Sequence, residues 1–207
     1  CMLDTRVSTP TEGVVLGLSG SPRKGGNTDT LLQTILEAAT QSGCATHSDR
    51  LADLQYQPCV GCEACRRADK CVRFKDGMTG LYPKVIEAQG LVLVCPVHNY
   101  NITAWMKAFI DRLYCMYNFG EERPSAWSSK MQDQSRKAVI VAVCEQEDKR
   151  DMGFAMEAMR MPLEALGYQV VGELPVLKTF GKGRVVDNPE VMEEACRLGV
   201  LLAKETC

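Results

Sequence analysis

The chain has 207 residues, with 24 Lys and Arg against 26 Asp and Glu and a formal net charge of -2, enough for one domain with a full hydrophobic core and cramped for two. This near-balance excludes the basic footprint of a nucleic-acid binder and the polybasic anchor of a membrane-surface protein. No apolar stretch approaches the roughly 18 residues of a membrane span, and Asp4, Arg6 and Thr11 interrupt any opening signal segment, so a soluble cytoplasmic protein is expected.

Residues 1–12 lack periodicity and contain Pro10; they read as an N-terminal arm, with a single domain over 13–207. Residues 14–18 form a short continuous apolar run closed by Gly20, Ser21 and Pro22, the pattern of a strand buried on both faces. Leu31, Leu32, Ile35, Leu36 and Ala39 then recur at helical spacing up to Gly43, with Asn27 or Thr28 as N-cap. A weaker strand over 46–51 precedes a polar, cysteine-containing excursion over 53–76. A helix is expected over 78–88, and a second buried strand over 90–95 ends at Pro96. The helix over 102–114 places Trp105, Met106, Phe109, Ile110 and Leu113 on one face. The aperiodic stretch 117–136 reads as a long loop or insertion. A strand over 138–143, a helix over 153–166, a strand near 169–177 and a helix over 189–204 complete the chain. Strand and helix alternate five times, which predicts an α/β fold: a doubly wound five-stranded parallel sheet with helices on both faces, three layers in all.

In such a sheet ligands bind beyond the carboxyl ends of the strands. The first loop there, 19–28, combines the hydroxyls of Ser19, Ser21 and Thr28 with Gly20, Gly25 and Gly26 and leads into a helix N-terminus. Backbone N–H groups freed by glycine, together with the positive end of a helix, form a phosphate cradle. The spacing fits neither the P-loop nor the dinucleotide fingerprint G-x-G-x-x-G, which leaves a monophosphate loop, or simply a tight turn with a good cap.

Seven of the eleven cysteines (Cys1, Cys44, Cys95, Cys115, Cys144, Cys196 and Cys207) are scattered and read as small buried or terminal residues. The other four, Cys59, Cys62, Cys65 and Cys71, follow the spacing C-x2-C-x2-C-x5-C. Three thiolates two residues apart and a fourth slightly farther on suit a cubane iron-sulfur cluster, although Val72 stands where the bacterial ferredoxin run has proline. Zinc is the rival occupant of four thiolates, and free or disulfide-linked thiols are the third reading. Arg66, Arg67, Lys70, Arg73 and Lys75 are expected to offset the charge of a cluster and to lower the thiol pKa values.

The run Gly17-Leu-Ser-Gly-Ser-Pro-Arg23 with Gly26-Asn-Thr28 resembles the FMN-phosphate loop of the NADPH-dependent FMN reductase family, a flavodoxin-like fold. The resemblance implies phosphate contacts from Ser19, Ser21, Arg23, Gly26, Asn27 and Thr28. Pro96, Val97, His98, Asn99, Tyr100 and Asn101, with the Lys107-Ala-Phe-Ile-Asp-Arg112 pattern behind them, are similar to the family's flavin-facing loop and following helix. On composition alone His98 is a solvated side chain, and Asp111 and Arg112 are an ion-paired helix end. Residues 144–148 stand where the family often carries Thr and Gly and form the expected third wall. The cysteine motif resembles that of the iron-sulfur flavoproteins, a branch of the same family with a 4Fe-4S cluster near FMN.

The resemblance implies an FMN-dependent oxidoreductase carrying electrons from NAD(P)H, or a low-potential donor such as ferredoxin, to a quinone, flavin, metal ion or oxygen species. It also implies a homodimer or homotetramer, with 117–136 and Trp127 at the interface or over the flavin. No catalytic acid–base residue is expected, because the flavin carries the chemistry. A flavodoxin-type carrier without turnover of its own is the alternative, and a zinc-stapled binding module a third.

Overall fold

The computed structural model describes residues 5–207; the first four residues of the expected arm lie outside the described residues. Its main sheet contains β1 (Thr11–Ser19), β2 (Ala45–Arg50), β3 (Ala88–Pro96), β6 (Lys137–Val143) and β7 (Gln169–Val176), in the order β2-β1-β3-β6-β7. Every pairing in it is parallel. The helices are α1 (Asn27–Gln41), α2 (Gly77–Glu87), α3 (Ala104–Arg112), α4 (Ala155–Leu166) and α5 (Pro189–Thr206), and they cover both faces. The result is a three-layer flavodoxin-like α/β fold. The chain leaves β1 for β2 and returns to β3 on the other side of β1, so the strand order reverses between β1 and β3. In open α/β sheets that reversal opens a crevice at the strands' carboxyl ends. Among the described residues no helix is long and apolar enough to cross a membrane.

The interior runs of the central strands, 14–18, 90–95 and 138–143, are apolar because both of their faces are buried. In β3, Leu91, Leu93 and Cys95 enter one core with α2, α3 and α4, while Val92 and Val94 enter the other with α1 and α5. Ala138, Ile140 and Ala142 alternate with Val139, Val141 and Val143 in the same way along β6. Gly17 permits the close seat of α1 on β1: a Cβ there would lie 2.6 Å from Leu32 Cδ1.

Several boundaries differ from the sequence expectation. The N-cap of α1 is Gly26, and Asn27 and Thr28 are the first helical residues. Thr11 and Glu12 belong to β1, and Val7 is buried with its N–H donating to the Lys130 carbonyl. Residues 117–136 are not wholly irregular: β4 (Tyr117–Phe119) and β5 (Trp127–Ser129) pair as an antiparallel ribbon. Cys44 and Cys207 are not independent apolar residues; they form a disulfide across a sequence separation of 163, tying the end of α5 beside the start of β2. No local pattern could have paired them, because the thiols meet only when α5 packs on α1.

The insertion leans on the cysteine excursion. Arg66 donates to the Gly120 carbonyl at 2.6 Å, Lys130 Nζ donates to the Ala68 carbonyl at 2.7 Å, and Arg123 pairs with Glu63. Tyr114 stacks on Phe119, and Trp127 meets Tyr117 edge-on.

Candidate functional site

The loop after β1 enters α1 without a side-chain cap on its first-turn N–H groups. At a helix N-terminus such donors carry partial positive charge and attract anions. Ser21 is held by its own turn, accepting from the Arg23 N–H at 3.1 Å. Ser19 does not line the cleft; it is fully buried and its hydroxyl donates to Asp29 at 2.7 Å. Asp29 also accepts from the Gly25 N–H at 2.7 Å and pairs with Arg50 at 3.0 Å, so the back of the loop is neutralised internally.

Ser21, Arg23, Gly26, Asn27 and Thr28 line a cleft of about 180 Å³. The Thr28 hydroxyl there is buried and has no hydrogen-bond partner. Leaving a buried hydroxyl unpaired is costly, and a ligand oxygen would remove that cost. An uncapped helix N-terminus, an orphaned hydroxyl and the Arg23 cation together fit a phosphate monoester.

Pro96, Val97 and His98 form the opposite side of this cleft. His98 and Asn101 exchange backbone hydrogen bonds of 2.8 and 3.1 Å around Asn99 and Tyr100. Both central residues have positive φ, 49° and 63°, as in a tight two-residue hairpin turn. Asn99 and Tyr100 face an adjoining depression with Glu145, Gln146 and Asp151. The two loops are joined from behind: the Thr103 hydroxyl caps α3 and donates to the Gly20 carbonyl at 2.7 Å.

Glu145, within the stretch expected to form a third wall, lines the main cleft with Val143. A fourth wall was not anticipated. Thr179, Phe180 and Lys182, after β7, also line the cleft. The available signal was positional, since these residues too follow the carboxyl end of a sheet strand. None of residues 117–136 lines the cleft, so the insertion covers the cysteine excursion and not the loops around this cleft.

Cys59, Cys62, Cys65 and Cys71 border one cavity of about 90 Å³ with Phe74, Arg112 and Tyr114. Cys59 and Cys62 are exposed, Cys71 half-buried and Cys65 buried. Among the described residues no group of three or more His, Cys, Asp or Glu side chains is arranged to hold a metal ion. Four soft thiol donors opening on one cavity nevertheless fit the chemistry of an iron-sulfur cluster. The expected lowering of thiol pKa does not occur at Cys65: burial pushes it up, reinforced by the neighbouring Cys71, Cys59 and Cys62. Two of the five nearby cations are engaged elsewhere, with Arg66 at 3.4 Å from Glu63 and over Phe119, and Arg73 over Phe74.

Comparison with known proteins finds relatives of both the chain and its fold. An iron-sulfur flavoprotein of Methanocaldococcus jannaschii is 38% identical over 98 residues, covering 47% of this chain and 50% of that protein. One from Methanosarcina thermophila is 38% identical over the same length, covering 47% and 51% respectively. One from Clostridioides difficile is 22% identical over 180 residues, covering 86% of this chain and 73% of that one. The alignments with the first two thus span about half the length of those relatives. Among solved structures, a flavone reductase superposes with TM-score 0.68 at 15% identity, covering 93% of this chain and 62% of that one. An NAD(P)H:quinone oxidoreductase from Methanothermobacter marburgensis gives 0.65 at 12% identity, covering 92% and 98%. Such identities speak to the fold alone. The sequence profile of the NADPH-dependent FMN reductases matches residues 14–180, and the chain belongs to that family.

Proposed function

We propose that this chain is an FMN-dependent oxidoreductase that takes electrons from NAD(P)H, or from a low-potential donor such as ferredoxin, and delivers them to a quinone, flavin, metal ion or oxygen species. The observation that carries the reading is the buried, unpartnered Thr28 hydroxyl lining the cleft at the uncapped start of α1. Thr28, Ser21, Arg23, Gly26 and Asn27 bind the phosphate, and Ser19 shapes the loop from behind. Pro96 to Asn101 support the ring system, with the left-handed turn at Asn99 and Tyr100 setting the height of that wall. When bound, FMN supplies both hydride and single-electron chemistry. The protein's part is to hold it, leave one edge open beside Tyr100 and Glu145, and restrict water on the other.

Cys59, Cys62, Cys65 and Cys71 hold a 4Fe-4S cluster in this reading, which supplies one-electron chemistry. The iron-sulfur flavoproteins among the relatives support it, as does the common cavity of the thiols. The exposed Trp127, Phe154 and Met161 support self-association as a homodimer or homotetramer. A cytoplasmic setting belongs to the same proposal.

The test is purification without oxygen, followed by a visible spectrum, iron and sulfide assays, and NADPH or NADH oxidation with added FMN and a simple acceptor. Flavin bands with nicotinamide oxidation support the reading. A flavin-loaded protein that oxidises neither nicotinamide favours a flavodoxin-type carrier, and a colourless protein with stoichiometric zinc overturns both.

A further inference from the structure

The loop following β7 is pinned between two walls of the cleft. Asn27 Nδ2 donates to the Gly181 carbonyl at 2.9 Å, and Asn27 Oδ1 accepts from the Val185 N–H at 3.0 Å. On the other side, the Lys178 N–H donates to the Gln146 carbonyl and the Thr179 N–H to the Cys144 carbonyl, at 3.0 and 3.1 Å. Lys178 and Gly183, at either end of the turn, both have positive φ, 54° and 73°. The segment between them is therefore a shaped strap whose conformation depends on both neighbouring loops.

Two side chains of the strap bear on the cleft, the cation of Lys182 and the aromatic ring of Phe180. Lys182 lines the cleft, its Cε 3.8 Å from where a Cβ on Gly25 would stand, so its stem crosses the phosphate loop. Among the described residues no carboxylate pairs with Lys182. The Phe180 ring lies 4.8 Å from the Arg23 guanidinium carbon and is itself 55% exposed. A cation held over a ring face keeps its charge while losing conformational freedom. Arg23 and Lys182 thus line, from two different loops, the cleft that the orphaned Thr28 hydroxyl also lines.

We propose that residues 179–182 form a clasp over the phosphate end of the flavin nucleotide, in which Lys182 pairs with the phosphate and Phe180 holds Arg23 in place, so that the chain selects a phosphorylated flavin over riboflavin. The inference rests on the FMN reading and assigns to the post-β7 loop a share of that recognition. A charge-assisted contact of this kind is lost when the cation is removed, and is specific to the ligand that carries the phosphate.

The experiment is calorimetric titration of apoprotein with FMN and with riboflavin, for wild type, Lys182→Ala and Lys182→Arg. Thermal midpoints confirm that the variants are folded; the side chain is exposed and no hydrogen bond depends on it. Wild type should bind FMN more tightly than riboflavin. Lys182→Ala should weaken FMN by about tenfold and leave riboflavin unchanged, with Lys182→Arg recovering most of the loss. If wild type discriminates but Lys182→Ala does not alter FMN affinity, or weakens both ligands equally, the clasp is wrong and the FMN reading stands. If wild type fails to prefer FMN, the FMN reading falls and the clasp with it.

Discussion

Arg112, at the end of α3, grips Asp76 with two hydrogen bonds, 2.8 Å to Oδ2 and 3.1 Å to Oδ1, while donating to the Gln57 carbonyl at 2.6 Å. Asp76 caps α2 through a capping box and accepts from the Gln57 N–H at 3.1 Å. One guanidinium therefore closes the neck of the cysteine excursion and borders its cavity. The side chain of Arg112 is 1% exposed and that of Asp76 13%, so the guanidinium has little access to water as an alternative partner. Removing one member of a buried pair strands the other, at about 3–5 kcal/mol. Arg112→Met should lower unfolding free energy by that order in urea titration, and an unchanged midpoint would count against the clamp.

The same pair predicts an acid response. Burial acts to raise the Asp76 carboxyl, but the hydrogen bond from Arg112 and the N–H groups of Gln57 and Met78 outweigh it and hold the group below its ordinary range. With the folded-state value below the unfolded one, the stability it confers is present above the unfolded pKa of about 3.9 and is lost as pH falls through the folded value. Asp76→Asn should be less stable than wild type at neutral pH, and the two stability curves should converge below that window.

Arg136 performs a different service inside the core. It is 1% exposed and donates to the Val85, Ile86 and Ala88 carbonyls at 3.0, 2.6 and 2.7 Å, closing the C-terminal end of α2 where it turns into β3. Arg136→Leu leaves those carbonyls buried without donors, and each lost partner costs about 1–3 kcal/mol. Thermal unfolding should show a large drop, and hydrogen exchange should show fraying at the α2–β3 junction.

Gly153 sits beneath the Tyr100 turn at φ +54°, and a Cβ there would stand 2.1 Å from the Tyr100 carbonyl oxygen. Gly153→Ala must displace that turn, at about 1–3 kcal/mol. FMN affinity should fall along with stability. Gly80→Ala is the control: it lies within α2 with nothing within 4 Å of the added atom, so stability should rise by about 0.5–1 kcal/mol.

Cys65 separates the two proposed sites. It is the buried thiol of the cysteine cavity and lines no part of the nucleotide cleft. Cys65→Ser should abolish iron and sulfide content in protein purified without oxygen while FMN affinity, by titration, stays unchanged. Retention of full iron would remove Cys65 from the ligand set.

Three of the sheet strands and two of the helices were legible because they are written in a local period: continuous apolar runs at 14–18, 90–95 and 138–143, and helical spacing at 31–39 and 102–113, whereas β2, Ala-Thr-His-Ser-Asp-Arg, carries no such run. The loop between β1 and α1 was legible for the same reason, since its glycines and hydroxyls are contiguous. The short β4–β5 ribbon escaped notice because neither three-residue strand is long enough to display alternation.

Local order in this chain thus follows from neighbours within a turn or two: which segments become strand or helix, where the glycine-rich loop after β1 lies, and which cysteines stand together. Long-range packing decided the rest. Asn27 meets Gly181 across 154 residues, Cys44 meets Cys207 across 163, and Arg66 is drawn to the insertion instead of the thiols beside it. Such pairings depend on how the helices stack on the sheet, and burial then sets the energy of each charge they enclose. No period or spacing along the chain encodes that environment.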